Sequence, residues 1–319
     1  MKALAARLSR PWAWSFLGAV LVFVLAVSFT GGAGAGGMIT TALALAVFTI
    51  VVGLGQMIVI TLGPGNVDLS LPANIGLASA VSMTVMNGSD SLVGIGLLAA
   101  LGCGLAIGVA NYLLIRALGI PPIVATLSSS FVVQSIDIAY GRGLQIKPPD
   151  GFADFVSLQI GGIPVCAILA MLLSAGFGIA LRRTIYGRSL MAVGQNPRAA
   201  QFAGLALERT RLITYGLCGM LGGLDGALLA GYFRGANVDL GNEYLLSSIA
   251  VVVIGGTSVA GGKPSVPGIW GASLFLILLL TMLNTFGVSA GVRLVATGLV
   301  IVAVIAIAGN RGLVNPSPK

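Results

Sequence analysis

The chain has 319 residues, 57% of them hydrophobic and only 8% charged, with a mean hydropathy of +1.03. A soluble domain carries roughly 25% charged residues. This chain cannot clothe a water-facing surface, so it reads as an all-α polytopic membrane protein surrounded by lipid. Its formal net charge of +8 is no nucleic-acid signal, because the basic residues fall between apolar runs and no basic patch is interleaved with aromatics.

A membrane-crossing helix needs about 20 mostly apolar residues. Ten candidates follow one another at 14–30, 40–62, 71–87, 91–115, 121–140, 162–181, 212–233, 244–261, 266–286 and 292–308. The second, third, eighth and ninth are interrupted by Gly and Pro. With the N-terminus placed in the cytoplasm, cytoplasmic segments hold Lys2, Arg7, Arg10, Arg116, Lys263, Arg311, Lys319 and the arginines of the 182–211 island. The opposite side keeps Arg142, Lys147, Arg234 and Arg293. That is the positive-inside bias, and shifting the count by one span breaks it. Both termini are therefore expected in the cytoplasm, and 1–319 is expected to form a single transmembrane domain.

Lys2, Arg7 and Arg10, followed by an apolar run and Ala33-Gly34-Ala35, also fit a cleavable signal peptide. The run is long for one, and 31–37 is read instead as an outer loop. Its Gly32-Ala33-Gly34-Ala35-Gly36-Gly37 matches G-x-G-x-x-G by letter, but no strand precedes it and no acidic residue follows about 20 positions later.

The first interruption of the apolar pattern spans 61–72, from Thr61-Leu62-Gly63-Pro64-Gly65 through Asp68-Leu69-Ser70-Leu71-Pro72. The second spans 254–264 and includes Gly255-Gly256-Thr257-Ser258-Val259-Ala260-Gly261-Gly262-Lys263-Pro264. Irregular backbone at membrane depth is tolerated only where protein or a water-filled cavity satisfies it. Both breaks have the same orientation in the ten-span reading, and Ser70-Leu71-Pro72 faintly echoes Ser265-Val266-Pro267. They are either cytoplasmic hairpin turns or elements that shape a pathway and its inner gate. The second resembles a phosphate-binding loop, but Thr257 and Pro264 stand where that pattern needs Gly and a hydroxyl residue.

Between the sixth and seventh spans lies the cationic island, 182–211, with Arg182, Arg183, Arg188, Arg198, Arg209 and Arg211. It encodes a short helix. Asn196 is a good N-cap, Pro197 suits the first helical position, Arg198 to Ala203 are mostly helix formers, and Gly204 is a C-terminal stop. Such a delimited helix suggests a handle for another protein.

Little else carries chemistry. There is no histidine, and the acids are unpaired, so a hydrolytic triad or intramembrane enzyme is disfavoured. Cys103, Cys166 and Cys218 sit far apart in apolar runs and read as packing residues, with no metal site. Gly104–Gly108, Gly222–Gly226 and Gly287–Gly291 have G-x-x-x-G spacing, which permits close helix approach. Asp68, Asp137 and Asp225 are candidate intramembrane acids, a class that is functional by default. Asp137 is expected to be wet near an outer helix end. Asp225 is expected to bond backbone or face a partner subunit. Gln56, Asn66, Ser70, Asn111, Ser128, Ser129, Ser130, Gln134 and Asn284 offer hydrogen bonds without fixed charge. They either line a path for a neutral polyol or bind helices to one another.

Four blocks in order carry a resemblance to the ribose-type permeases of ATP-binding-cassette sugar importers. They are Asn66-Val67-Asp68-Leu69-Ser70-Leu71-Pro72, Pro121-Pro122-Ile123-Val124-Ala125-Thr126-Leu127, Tyr186-Gly187-Arg188 through Gly194-Gln195-Asn196 to Ala199-Ala200 and Gly204, and Val252-Val253-Ile254-Gly255-Gly256-Thr257-Ser258 through Gly261-Gly262. The chain departs from the family pattern at Leu71-Pro72, where a small Val-Gly pair is usual. The resemblance implies a bacterial inner-membrane permease subunit without catalysis of its own. It implies partners: ATPase subunits carrying ATP and Mg²⁺, a second permease copy or paralogue, and a periplasmic sugar-binding protein. It implies that Gly187, Arg188, Gly194, Asn196, Pro197, Arg198, Ala199, Ala200 and Gly204 couple to the ATPase. Asn66, Asp68, Ser70, Asn111, Ser129, Gln134 and Asn284 are then candidates for the pathway. A permease for a nucleoside or amino acid, and an ion-coupled carrier built on Asp225, remain the alternatives.

Overall fold

The computed structural model describes residues 11–302 apart from 33, 142–146, 290, 294 and 301. Lys2, Arg7, Arg10, Arg142, Arg311 and Lys319, Ala33 of the signal-peptide reading and the end of the tenth expected span lie outside the described residues. The described chain is almost entirely helical. In order it forms α1 (Pro11–Phe29), α2 (Ala35–Thr61), α3 (Leu71–Met86), α4 (Val93–Leu118), α5 (Pro122–Gly141), α6 (Asp150–Ser157), α7 (Val165–Arg183), α8 (Ile185–Gln195), α9 (Pro197–Phe202), α10 (Leu207–Tyr232), α11 (Tyr244–Ile254) and α12 (Val266–Thr285). A two-residue Gly161-Gly162 turn joins β1 (Gln159–Ile160) to β2 (Ile163–Pro164).

Seven of the described helices are long and apolar enough to cross a membrane: α1, α2, α4 with its preceding 3-10 turn, α5, α7, α10 and α12. The expectation of ten full spans is corrected by this count. The expected third span is α3, of 16 residues, or about 24 Å at 1.5 Å per residue. The expected eighth is α11, of 11 residues, and 291–300 forms another short apolar helix. The third expected span matches α3 to within one residue and is simply short, because irregular backbone at 62–70 precedes it. The eighth is short because residues 255–261, counted into its apolar run, leave the helix.

The core is built around α2 and α10. From Ala46 to Leu62 every residue of α2 and its cap is buried, against α10, α11 and α12. α10 reaches this density because glycines line two of its faces. Gly219 and Gly223 meet α4, where a side chain at Gly104 or Gly108 would overlap the Gly219 or Tyr215 carbonyl. Gly222 and Gly226 meet α3 at Leu71, Asn74 and Ile75. Two of the three glycine pairs flagged by spacing are therefore helix crossings of the kind small residues permit. Gly287 and Gly291 face open space.

Pairings along the helices define two ends. Gly271 of α12 meets Ser15 and Phe16 of α1, and Phe29 stacks edge-on with Phe286, so α1 and α12 run parallel. Pro11, α8, α9 and the ends of α2 and α4 share one end of the bundle. At the other end, amphipathic α6 buries Phe152, Ala153 and Val156 against α10 at Gly231. There Arg234 reaches Asp154 at 2.6 Å and Asp150 at 3.8 Å.

Candidate functional site

The cationic island folds into two helices. The sequence reading found α9 and missed α8. The missing signal was Thr184 ahead of an apolar stripe at Leu190 and Val193, hidden by the surrounding arginines. Thr184 caps α8 by accepting from Gly187 N–H at 3.1 Å, and Gly187 lies so close to Leu181 that a side chain would overlap its backbone. Leu190, Val193 and Gly194 are buried, while Arg188 faces out. The Tyr186 hydroxyl lies 2.9 Å from Thr214 Oγ1, and burial pushes that phenol up to about 12.

Asn196 joins the two helices. It ends α8 and caps α9, accepting the Ala199 N–H on Oδ1 at 3.0 Å. Pro197 opens the helix, Ala200 packs inward, and Arg198, Ala199, Gln201 and Phe202 are exposed. The close is a turn through Gly204, φ +78, with Leu205 N–H donating to the Ala200 carbonyl at 3.1 Å, as helix C-caps commonly do. Two large apolar side chains stand out in this display, Ile185 at 75% and Phe202 at 93% exposed. Just beyond it Glu208 ties α10 to α4, accepting from the Tyr112 hydroxyl at 2.5 Å and pairing with Arg211 at 3.1 Å and Arg116 at 3.5 Å.

The two breaks meet each other and the end of α8. Gly262 N–H donates to the Thr61 carbonyl at 2.9 Å. A side chain at Gly194 would overlap that same carbonyl, and one at Gly262 would overlap Gln195 Cγ. One at Gly261 would stand 2.5 Å from the Gly194 carbonyl and 2.6 Å from the Gly63 Cα. Within the second break, Ser258 N–H donates to the Lys263 carbonyl and Ser265 N–H to Thr257 Oγ1, both at 3.1 Å.

The first break is held by side chains. Asp68, 2% exposed, accepts on Oδ1 from Ser70 N–H at 2.9 Å, the Ser70 hydroxyl at 2.7 Å and Asn111 Nδ2 at 3.4 Å. Asn111 Nδ2 also lies 2.7 Å from Ser70 Oγ. Asn66 accepts from the Tyr215 hydroxyl at 3.4 Å. Thr126 of α5 accepts Leu69 N–H on its hydroxyl at 3.0 Å. So Asp68 secures the start of α3. Asp68, Ser70 and Asn111 form one network, Asn66 is bonded separately to Gly63 and Tyr215, and the four sequence blocks all converge on this end.

The other polar candidates lie apart. On α5, Ser129 is buried, Ser130 and Gln134 are half-buried and Ser128 is exposed, while Asn284 is exposed near the end of α12. Asp137, expected to be wet, is 1% exposed, because α5 turns it onto Gly76, where a side chain would overlap its carboxyl. Asp225 is 0% exposed and buried within this chain, so it does not face a partner subunit. Among the described residues neither of its oxygens has a hydrogen-bond partner, nor has either polar atom of Gln56.

A bundle of apolar helices, two of them starting from irregular backbone and a capped helix pair displayed at the same end, defines a polytopic membrane protein with a built-in handle. Comparison with known sequences gives the class its family. The pattern of the family described as "Branched-chain amino acid transport system / permease component" matches residues 38–307. The chain is 30% identical over 255 residues to the Autoinducer 2 import system permease protein LsrD of Klebsiella pneumoniae, covering 76% of this chain and 74% of that one. It is 33% identical over 241 residues to the Ribose import permease protein RbsC of Bacillus subtilis, covering 74% of each. The chain belongs to this family of transport permeases.

Proposed function

We propose that the chain is the membrane permease subunit of an ATP-driven importer for a monosaccharide or a similar small polyol. The observation that carries this reading is the α8–α9 pair, a capped and exposed helix whose base rests on both breaks in the bundle. That is the construction needed to pass a push from a soluble partner into membrane helices. The named imports of the two relatives, autoinducer 2 and ribose, support the sugar class.

In this reading the α8–α9 end, with Pro11, faces the cytoplasm of a bacterial inner membrane, which agrees with the arginines of the island. ATP and Mg²⁺ are held by partner ATPase subunits, and this chain contributes positioning rather than catalysis. A second copy or a paralogue completes the pathway, and a periplasmic binding protein delivers the sugar. Ser128, Gln134 and Asn284 have surface to offer a solute, whereas Asp68, Ser70 and Asn111 act by fixing the start of α3. Purification of the tagged chain in gentle detergent, with mass spectrometry of its companions, tests the reading. A P-loop ATPase should co-purify and be lost when 196–204 is scrambled. An intact, monodisperse chain without an ATPase overturns it.

A second reading is favoured by Asp225, a carboxyl buried with no partner. Such an acid suits an ion-coupled carrier. Uptake driven by a proton or Na⁺ gradient and abolished in Asp225→Asn would support it, and full ATP-driven uptake in that variant would sink it.

A further inference from the structure

The contact between α8 and the two breaks is made of backbone. The Gly194 Cα fills the space against the Thr61 carbonyl, Gly261 packs on Gly63 and the Gly194 carbonyl, and Gly262 N–H bonds Thr61. Side-chain contacts yield by changing rotamer, whereas backbone packed on backbone has no such freedom. The covalent path is equally short. Asn196 is the only residue between α8 and α9, so a displacement of α9 turns α8 directly. The path on the other side of α9 is softer. It runs through 203–206, four residues outside regular helix, one of them Gly204 at φ +78, and three of them exposed.

Resting on the permease reading above, we propose that Gly194 is a positioning residue, and that the last turn of α8, the end of α2 with Gly63 and the second break form one rigid block. The block carries displacement of α9 to the end of α2, which feeds the first break and so α3, and to the second break, which feeds α12. One partner motion then moves two helix starts. They are the two where the bundle is interrupted, so they can shift without breaking a continuous span.

The test uses the full chain assembled with its ATPase subunits in lipid nanodiscs. Leu69→Cys, half-buried in the first break, reports through its maleimide labelling rate, corrected for labelling of the chain without the reporter. Hydrolysis of ATP in the presence of orthovanadate, which traps the ADP formed, should change that rate at least fivefold. Adding Gly194→Ala should bring the rate ratio, taken per mole of nucleotide trapped, to within twofold of one. A ratio preserved in Gly194→Ala overturns the proposal, as does a parent assembly that traps nucleotide with no change at the reporter. A merely structural role for Gly194 would lower trapping and labelling response together.

A second arm does not depend on the folding of Gly194→Ala. The Gln195→Cys/Gly262→Cys pair, without the reporter, is closed as a disulfide and confirmed by peptide mass spectrometry. Trapping within twofold of the reduced sample is expected of a block that never opens. A tenfold loss restored by reductant shows the segments separating, and overturns the proposal. If no ATPase assembles on the unmodified chain at all, the permease reading itself has failed and this inference falls with it.

Discussion

The first break delivers the chain into α3 through Ser70, Leu71 and Pro72, and the second delivers it into α12 through Ser265, Val266 and Pro267. Both helices thus begin at a serine with proline in the first turn, where its missing N–H costs nothing. Their anchoring differs. Ser70 gives both its N–H and its hydroxyl to Asp68, and Asn111 and Thr126 bring α4 and α5 into the same cluster. The Ser265 hydroxyl is buried without a partner, and the second break is fixed by its own Thr257 and Lys263 and by Gly268 lying against the backbone of Gly255. One helix start is tied to neighbouring spans by side chains, and the other is held by backbone, its own and that of Thr61 and Gly194. The lesson is that a similar local sequence can open two helices while their mechanical attachment is set by residues far away in the chain.

The sharpest way to break this contrast is Asp68→Ala. It strands buried donors on Ser70 and Asn111, and it should lower stability by about 3 kcal/mol or more, a loss typical of a broken buried polar cluster. Thermal unfolding in detergent checks it, and Asp68→Asn, which keeps an acceptor, should lose less than half as much. Lys263→Ala, exposed at the second break, is the control and should stay within about 0.5 kcal/mol.

Gly268→Ala should be the counterpart lesion for the second break. A methyl there overlaps the Gly255 carbonyl, and overpacking of this kind costs about 1–3 kcal/mol. If the second break could flex freely the cost would vanish, and the contrast with Asp68 would be wrong. Thr126→Val and Thr257→Val sharpen it further. Each removes the acceptor for one N–H, of Leu69 or Ser265, at about 1–2 kcal/mol. Only Thr126→Val should also loosen α5, seen as faster hydrogen exchange at its first turn.

Asn196→Ala lies outside both breaks and should give the smallest effect. Losing an N-cap costs about 1 kcal/mol. Since α9 is exposed, the melting point should hardly move, while the amount of co-purified ATPase falls about fivefold.

Much of this was legible in the sequence because local rules carried it. The cap, proline and glycine of 196–204 each state a backbone requirement, and α9 follows them. The apolar spacing located the long spans, and the two breaks were visible as Gly, Pro and polar residues inside apolar runs. What failed was anything set by packing. A count of apolar residues cannot tell that Gly255 has left its helix, so α11 was read as a full span, and α3 was counted as one although its 16 residues are short for it. Asp137 was read as wet because its neighbours in sequence are near a helix end, whereas its burial is decided by Gly76 on another helix. Likewise the contact of Gly194 with Thr61 and Gly262 joins positions more than 60 residues apart, which no local pattern records.

The ring of Phe202, 93% exposed at the tip of α9, has one more consequence. On the permease reading that ring stands on the cytoplasmic side beside arginines, where a partner's pocket would take it up. On that reading, a subunit whose partner is missing would advertise the fact to chaperones and proteases. Docking would hide the signal, so cellular stock of this chain would be matched to the supply of the protein that covers it, and a surplus would be short-lived even though its membrane bundle is intact.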